Sequence, residues 1–189
     1  MIAALIGCHG AGKTTLGRKL SLLLGWPFDD ETGARLATDR GHRPSGVTAA
    51  DAQEAFDEAV FREELARDVA WDSGAHRIVE TWHPGNLAYA MARSAPVALR
   101  HLDAVAASIA RQPTVVILVT APEGVLAQRK SEEGHLAFFL AVAAASSAWA
   151  ERLGLPVIAE VDTRAHPAER LAADVARMVL AAMAREGGR

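Results

Sequence analysis

Eight residues near the start of the chain follow the pattern G-x-x-x-x-G-K-[ST], which builds a phosphate-binding loop in proteins. They run from Gly7 to Thr14 with the letters GCHGAGKT. Glycines allow backbone torsions that a side chain would block, so that successive N–H groups can surround phosphate oxygens. Lys13 can then reach the β- and γ-phosphates of ATP and the Thr14 hydroxyl can ligate Mg²⁺, so the pattern predicts both ligands. The residues predicted to bind the nucleotide here are Gly7, His9, Gly10, Ala11, Gly12, Lys13, Thr14 and Thr15.

The segments on either side of this loop agree with that interpretation. An apolar run over residues 2–6 suits a buried parallel strand, and apolar residues at helical spacing over 13–24 predict the helix that follows. Gly25 then suits the end of that helix. Because the N-terminus of a helix carries partial positive charge, it would add to phosphate binding.

A carboxylate at the end of a short apolar strand is the second candidate for catalysis. Residues 77–80 read Arg-Ile-Val-Glu. Glu80 would therefore stand at the carboxyl edge of a sheet, where open α/β sheets bind their ligands. We predict that Glu80 holds Mg²⁺ through water or orients the phosphoryl acceptor, and a structural helix cap is the alternative.

Three adjacent acids, Asp29, Asp30 and Glu31, follow the second predicted strand. Because neighbouring carboxylates repel one another, one of them can keep a raised pKa and act as a general base. We predict that all three bind the acceptor and that Glu31 is catalytic, with a solvated polar loop as the alternative. Arg43 follows in a polar segment and is predicted to bind the acceptor, with a solvated position as its alternative.

Two further groups of residues are predicted to contact ligands. Trp82 and His83 lie just beyond Glu80, and the Trp82 ring could stack on a planar base of the acceptor, although packing in the core is the alternative. Arg129 begins a polar stretch that predicts a short lid near residues 129–136. Closing of this lid would bring Arg129 to ATP as a catalytic and nucleotide-binding residue and would exclude water.

Strand and helix patterns alternate along the whole chain. The predicted strands cover residues 2–6, 26–28, 77–80, 114–119 and 157–161. The predicted helices cover residues 13–24, 49–71, 87–93, 99–110, 122–130, 136–153 and 168–184, with Pro96 between two of them and a loop or broken helix over 29–46. Strands that are apolar on both faces predict an α/β fold, in which helices cover both faces of a five-stranded parallel sheet. The 189 residues fit a single domain over 1–189.

The loop sequence GCHGAGKTT resembles the phosphate-binding loop of the thymidylate kinases. Residues 80–89, ETWHPGNLAY, resemble their Asp-Arg-Tyr segment, which ends in Ala-Tyr at the same spacing. Residues 115–130 look like the strand and helix that lead into their lid, and residues 161–163 resemble their loop near the adenine. The resemblance implies a three-layer P-loop kinase fold of the adenylate-kinase type, and it implies that Asp162 helps to bind the nucleotide.

Two positions depart from the thymidylate kinase pattern. Those kinases grip the phosphate of their acceptor with arginines, where this chain has Asp29-Asp30-Glu31 and Thr81. The deoxynucleoside kinases place a glutamate after the second strand and an acid at the end of the third. Glu31, or alternatively Asp29 or Asp30, could fill the first place and Glu80 the second. Shikimate and gluconate kinases have similarly short lids, so other small alcohols stay open as acceptors.

Composition narrows the range of partners and locations. A net charge of −3 gives no general attraction to a nucleic acid polymer. The apolar N-terminus lacks a basic start, and no apolar run approaches the roughly 20 residues of a membrane span. The single cysteine, Cys8, excludes an intramolecular disulfide and favours a cytoplasmic location. The expected partner is a small-molecule phosphoryl acceptor rather than a nucleic acid or a membrane, and a homodimer is left open.

These features together predict an ATP-dependent phosphotransferase that moves the γ-phosphoryl group of Mg-ATP to a small acceptor, with nucleosides and nucleotides in first place. A kinase of other small metabolites is one alternative, and a regulatory ATP-binding protein with little catalysis is another. A GTPase is disfavoured because the chain lacks the guanine-reading motif Asn-Lys-x-Asp.

Overall fold

The computed structural model describes residues 1–39, 50–71, 74–129 and 136–187. Its strands are β1 (Ile2–Ile6), β2 (Phe28–Asp29), β3 (Arg77–Glu80), β4 (Thr114–Thr120) and β5 (Val157–Asp162). Its helices are α1 (Lys13–Leu24), α2 (Thr32–Asp39), α3 (Ala50–Ala70), α4 (Trp82–Ile109), α5 (Glu123–Arg129), α6 (Leu136–Arg152) and α7 (Ala168–Gly187). The strands form one parallel sheet in the order β2-β3-β1-β4-β5. The predicted α/β fold with a five-stranded parallel sheet is confirmed.

Strand β1 occupies the centre of the sheet because its side chains are apolar on both faces. All five of its residues are buried. Ala3 and Leu5 join an apolar cluster that includes residues of α1 and α7. Ala4 and Ile6 join a second cluster that includes residues of α4 and α6. The parallel pairing brings the carboxyl ends of β1, β3 and β4 to one edge of the sheet, where the candidate site lies.

Helix α4 is longer than the sequence predicts. We expected two helices separated by Pro96, but one helix of 28 residues contains that proline. A proline inside a helix removes one backbone hydrogen bond and costs about 3 kcal/mol. Burial of the flanking residues offsets this cost, because Val97, Ala98 and Val105 are fully buried against the core.

The segment after the second strand also differs from the prediction. Strand β2 spans Phe28–Asp29 rather than residues 26–28, and residues of the predicted loop or broken helix form the regular helix α2. Residues 40–49 lie outside the described part. Thr32 and Ala37 are the buried residues of α2, so a short apolar face packs this helix beside the site despite its polar sequence.

The apolar stretch near residue 140 belongs to α6. This helix buries Phe139, Val142, Trp149 and Ala150, as expected for a helix packed in a core. Among the helices that the structure describes, none combines the length and the apolarity that a membrane span requires.

Gly17 provides a test of the packing between α1 and β2. A β-carbon at Gly17 would lie 2.3 Å from a carbon of the Phe28 ring. We therefore expect Gly17→Ala to destabilise the protein by about 1–3 kcal/mol, although alanine favours helices. Gly124→Ala in α5 is the matched control, since nothing lies within 4 Å of its β-carbon. Urea unfolding should show no loss of stability for the control; equal effects of the two substitutions would contradict the packing described here.

Candidate active site

The loop between β1 and α1 has the backbone conformation that its glycines permit. Gly7, Gly10 and Gly12 all have positive φ, at 135°, 84° and 103°. At Gly7 a β-carbon would also lie 2.1 Å from the carbonyl oxygen of Val119. A side chain at Gly7 would therefore push the loop away from β4. The sequence prediction of a phosphate-binding loop agrees with this geometry.

Lys13 is the cation at the centre of the site. It is only 3% exposed, and its Nζ donates a hydrogen bond to the carbonyl oxygen of Cys8 over 3.1 Å. The same nitrogen lies 3.8 Å from an oxygen of Glu31 and 3.8 Å from an oxygen of Glu80. Residues from three separate segments thus place two carboxylates around one buried ammonium group.

Thr14 and Glu80 place two oxygen atoms of the kind that Mg²⁺ prefers close together. The Thr14 hydroxyl donates to a carboxylate oxygen of Glu80 over 3.0 Å. In sites that transfer phosphoryl groups, Mg²⁺ is usually held by one or two protein oxygens, by substrate phosphates and by water. No group of three or more His, Cys, Asp or Glu residues suited to a metal occurs in the described ranges. The Thr14 hydroxyl and the Glu80 carboxylate are the two side chains that are suited to hold an ion brought by ATP, and their role as magnesium ligands stays a prediction.

The surroundings of Glu80 shift its ionisation. Burial raises the pKa of its carboxyl group, and the nearby negative charges of Glu31 and Asp30 raise it as well. Lys13 and the Thr14 hydroxyl act in the opposite direction but do not cancel the effect of burial. A phosphate-bound cation beside Glu80 would favour the ionised form that coordination or proton transfer needs.

A pocket of about 810 Å³ joins these groups. Its lining includes six predicted nucleotide-binding residues: His9, Gly10, Gly12, Lys13, Thr14 and Thr15. Residues of the β2–α2 turn and α2 also line it: Asp30, Glu31, Arg35 and Asp39. Glu80 lines the same pocket. The structure therefore brings the predicted phosphate side and two of the three predicted acceptor acids around one space.

The loop after β5 approaches the phosphate-binding loop through Thr163. The Thr163 hydroxyl donates to the carbonyl oxygen of Ala11 over 2.8 Å. A β-carbon at Gly12 would lie only 3.1 Å from the methyl carbon of Thr163. The family resemblance implies nucleotide binding by Asp162 instead. Asp162 accepts a hydrogen bond from the backbone nitrogen of Arg164 over 2.8 Å, whereas Thr163 lines the pocket. The resemblance in residues 161–163 was the signal that could have identified Thr163.

Three of the predicted acceptor-binding residues are engaged elsewhere in the structure. Asp29 forms a salt bridge of 2.8 Å with Arg77. Trp82 is 1% exposed and His83 is fully buried, so neither ring can stack on a base in the pocket. For Trp82 the structure supports the alternative of packing in the core. His83 is buried beside it, and Asp29 is paired within the sheet rather than solvated in a loop, so we withdraw the assignment of these three residues to the acceptor.

Trp82 and His83 instead fix the turn that follows Glu80. The Trp82 indole donates to Asp68 over 3.1 Å, and His83 Nε2 donates to the same carboxylate over 2.6 Å. This turn contains two non-glycine residues with positive φ, Thr81 at 68° and Trp82 at 43°. Such conformations cost of order 1–3 kcal/mol each and persist only where their surroundings hold them. Asp68 in α3 therefore holds a strained turn directly beside the candidate catalytic carboxylate.

Replacing Asp68 with asparagine should destabilise the protein. Burial by itself raises the pKa of Asp68, but hydrogen bonds from His83, Ser108 and Trp82 hold it below the usual range. The ionised carboxylate therefore stabilises the fold above the pKa that it has when unfolded, and this contribution is lost as the pH falls through its lower folded pKa. We expect Asp68→Asn to lower the free energy of unfolding by roughly 2–4 kcal/mol at pH 7.

Chemical denaturation at several pH values measures this effect. Asp103→Asn is the matched control, because Asp103 lies on the exposed side of α4 and should change stability by less than about 0.5 kcal/mol. The difference between Asp68→Asn and the wild type should shrink as the carboxyl group becomes protonated. A difference that stays constant down to strongly acidic pH would contradict this account.

The structure does not test the predicted roles of two residues. Arg43 lies outside the described residues. Arg129 ends α5, and residues 130–135 of the predicted lid lie outside the described part. The roles of Arg43 and Arg129 stay predictions.

One model of a protein family matches most of this chain. A model described as AAA domain, AAA_28, matches residues 3–170. The chain belongs to this family. The matched range of this AAA-domain protein contains the phosphate-binding loop, Glu80 and Thr163. A search of curated proteins found no match.

Solved structures share the fold of this AAA-domain protein at low sequence identity. Shikimate kinase from Acinetobacter baumannii in complex with shikimate has a TM-score of 0.57 and 17% identity, over 95% of this chain and 93% of that one. The YorR protein from Bacillus subtilis in complex with phosphorylated GDP has a TM-score of 0.61 and 16% identity, over 95% of each chain. Shikimate kinase from Aquifex aeolicus has a TM-score of 0.55 and 16% identity, over 100% of each chain. At these identities the likeness shows the fold alone, so the expected P-loop kinase fold is confirmed while the acceptor is not identified.

Proposed function

We propose that this protein is an ATP-dependent phosphotransferase, which moves the γ-phosphoryl group of Mg-ATP to a hydroxyl group of a small acceptor. Nucleosides and nucleotides are the first class of acceptor in this proposal, in line with the resemblance to thymidylate and deoxynucleoside kinases. One observation carries it: the carboxylates of Glu31 and Glu80, which come from different segments of the chain, each lie 3.8 Å from Lys13 and line one pocket. Phosphate binding by the loop does not by itself require a second carboxylate beside this lysine.

The two carboxylates suit different tasks. Glu80 contacts the Thr14 hydroxyl, so it belongs to the magnesium end of the pocket. Glu31 comes from the β2–α2 turn, a separate segment that lines the same pocket. Phosphate oxygens of ATP would replace the carboxylates as partners of Lys13, and Glu31 would then be free to accept a proton from the acceptor.

The proposed reaction is a direct transfer. The acceptor hydroxyl oxygen forms a bond to the γ-phosphorus, and the bond from that phosphorus to the β–γ bridging oxygen breaks. ADP leaves with the electron pair of that bond, and the hydroxyl proton passes to the Glu31 carboxylate. Bound Mg²⁺ supplies charge neutralisation at the phosphate oxygens. Lys13 and the N–H groups of the loop orient the phosphates, so the main contribution of the protein is in-line placement and electrostatic stabilisation.

An acceptor panel with labelled ATP tests this proposal. The purified protein is incubated with Mg²⁺, ATP labelled in the γ-phosphate, and hydroxyl compounds that include nucleosides, nucleotides and sugars. Transfer of label to at least one compound, with matching ADP release, is the expected result. Tight ATP binding with no acceptor-stimulated turnover would instead favour the regulatory alternative.

A further inference from the structure

Two neighbouring residues of α3, Arg67 and Asp68, contact the two segments that carry the candidate catalytic carboxylates. Arg67 Nη1 donates to the carbonyl oxygen of Asp30 over 3.3 Å and to the Thr32 hydroxyl over 3.2 Å. Asp30 and Thr32 are the residues on either side of Glu31. Arg67 therefore holds the β2–α2 turn at both neighbours of the proposed base.

Arg67 is itself fixed by a buried acid. Its Nη2 donates to a carboxylate oxygen of Glu64 over 2.5 Å, and the side chain of Glu64 is only 1% exposed. The Arg67 guanidinium also lies 5.2 Å from the centre of the Trp71 ring. A charge-assisted hydrogen bond and contact with an aromatic ring limit the orientations that a guanidinium can adopt. Arg67 is therefore a fixed support for the turn and not a solvated surface cation.

Asp68 contacts the segment that follows Glu80. Its carboxylate accepts three hydrogen bonds of 2.5 to 3.1 Å, from Trp82, His83 and Ser108. Thr81, between Glu80 and these partners in the sequence, has φ of 68° and ψ of −58°, which is the rare and strained conformation of a classic γ-turn. Loss of the contacts with Asp68 would let this turn relax, and the adjoining Glu80 would then move.

The two contacts start from adjacent residues of one helix, so they fix the two turns relative to each other. Glu31 and Glu80, which these turns carry, each lie 3.8 Å from Lys13. Neither Arg67 nor Asp68 is among the described residues that line the pocket. Both side chains therefore act on the site through the turns that they contact.

We propose that Arg67 and Asp68 are positioning residues for phosphoryl transfer, Arg67 for Glu31 and Asp68 for Glu80. This inference rests on the proposed function. Transfer requires reacting groups in a near-attack geometry, and a displacement of about 1 Å can cost 10²-fold in rate. Arg67 keeps Glu31 where it accepts the proton of the acceptor. Asp68 keeps Glu80 beside the Thr14 hydroxyl, at the end of the pocket that receives Mg²⁺.

A double-mutant cycle tests the role of Arg67. The variant combines Arg67→Met with Glu64→Gln, because loss of the arginine alone would leave a buried charge without its partner. We expect it to lower kcat for label transfer by about 10-fold, with the Kd for ATP unchanged. The same two changes should have no further effect in Glu31→Gln, since the group that Arg67 positions is then absent. An equally large loss of rate in the Glu31→Gln background would overturn the role of Arg67.

The control for this variant removes a buried ion pair from the same helix. Arg93 of α4 donates to Asp57 of α3 over 2.5 Å, and their side chains are 17% and 3% exposed. Within the described ranges, the hydrogen bonds of this pair join α3 to α4 and reach neither turn. Arg93→Met with Asp57→Asn should therefore lower stability in urea unfolding but leave kcat at the wild-type value. Equal losses of kcat in the two variants would attribute the effect to stability and overturn the inference.

Asp68→Asn tests the second role through Mg²⁺. We expect the half-saturating Mg²⁺ concentration for label transfer to rise by about 10-fold, as for other groups that orient a metal ligand. The Arg67→Met variant with Glu64→Gln should keep the Mg²⁺ requirement of the wild type. Loss of stability alone would not divide the two effects between kcat and Mg²⁺ in this way. An unchanged Mg²⁺ requirement in Asp68→Asn would overturn the role of Asp68.

Measurements on the wild type separate this inference from the proposed function. Normal label transfer by the wild type together with unaltered kinetics in both variants would reject the positioning roles and leave the phosphotransferase intact. Absence of transfer to every acceptor, with ATP binding intact, would reject the phosphotransferase and the role of Arg67. Titration with ATP would then still decide the role of Asp68. A smaller gain in ATP affinity from Mg²⁺ in Asp68→Asn supports that role, and an unchanged gain overturns it.

Discussion

Replacing Lys13 with alanine is expected to lower the rate of phosphoryl transfer by at least about 10³-fold. Lys13 is a buried cation that lies 3.8 Å from each of the two candidate catalytic carboxylates, and it would neutralise the charge that moves onto the bridging oxygen as ADP leaves. Losses of one such preorganised group typically reach 10²–10³-fold, and of a cation on transferred phosphate 10³-fold or more. Single-turnover transfer of labelled phosphate measures the effect.

The control for Lys13 lies on the same helix. Lys19 forms a salt bridge of 2.7 Å with Glu169, an exposed residue of α7. Surface pairs of this kind are worth about 1 kcal/mol or less, so Lys19→Ala should retain activity. Circular dichroism should show folded protein for both variants, and a fully active Lys13→Ala would contradict the proposed mechanism.

Replacing Glu80 with glutamine is expected to lower the transfer rate by about 10²-fold without lowering stability. Glutamine keeps the shape of the side chain but loses the charge that binds Mg²⁺ or orients the acceptor, and contributions of this kind are worth about 10²–10⁴-fold. Rates at increasing Mg²⁺ concentration should also show a higher half-saturating concentration. Glu160→Gln, on the exposed side of β5, is the matched control and should leave the rate unchanged.

The stability of Glu80→Gln distinguishes a catalytic role from a structural one. Because the pKa of Glu80 is raised in the folded protein, its carboxyl group favours folding most below the pKa of the unfolded chain. That contribution is lost as the pH rises through the folded pKa. At pH 7 the ionised group therefore costs stability, and the neutral amide should unfold at the same temperature or higher. A clear fall in the unfolding temperature with near-normal kinetics would make Glu80 a structural residue.

The parts of the site that the sequence predicts are those that depend on local spacing. The loop from Gly7 to Thr14 needs glycines at fixed positions for its positive φ values and a lysine at the start of α1. The apolar run before this loop predicts one strand. Glu80 ends a second apolar run, which predicts another strand of the same sheet. Such features lie within one segment, so a sequence pattern contains them in full.

The parts that the sequence does not predict depend on contacts between distant segments. Trp82 and His83 follow the candidate catalytic residue Glu80 in the sequence, but both side chains are buried and donate hydrogen bonds to Asp68 of α3. Asp29 is paired by Arg77, which lies 48 positions away. Residue type alone cannot separate a polar group that faces a pocket from one that is satisfied by a partner on another helix or strand.

Helix α4 illustrates the same limit at the level of secondary structure. Pro96 predicts a break because a proline lacks the backbone donor of a helix interior. The helix continues because its apolar residues on both sides of Pro96 pack against one core, and the gain from burial exceeds the cost of one hydrogen bond. Propensity is local, whereas the packing that overrides it involves the whole domain.

Isothermal titration of the protein with ATP, with and without Mg²⁺, tests the central claim most directly. That claim is that backbone N–H groups and Lys13 between β1 and α1 bind the phosphates of ATP. We predict saturable binding that strengthens when Mg²⁺ is present and is severely weakened in Lys13→Ala. Absence of any ATP binding by the folded wild-type protein in the presence of Mg²⁺ would contradict the account.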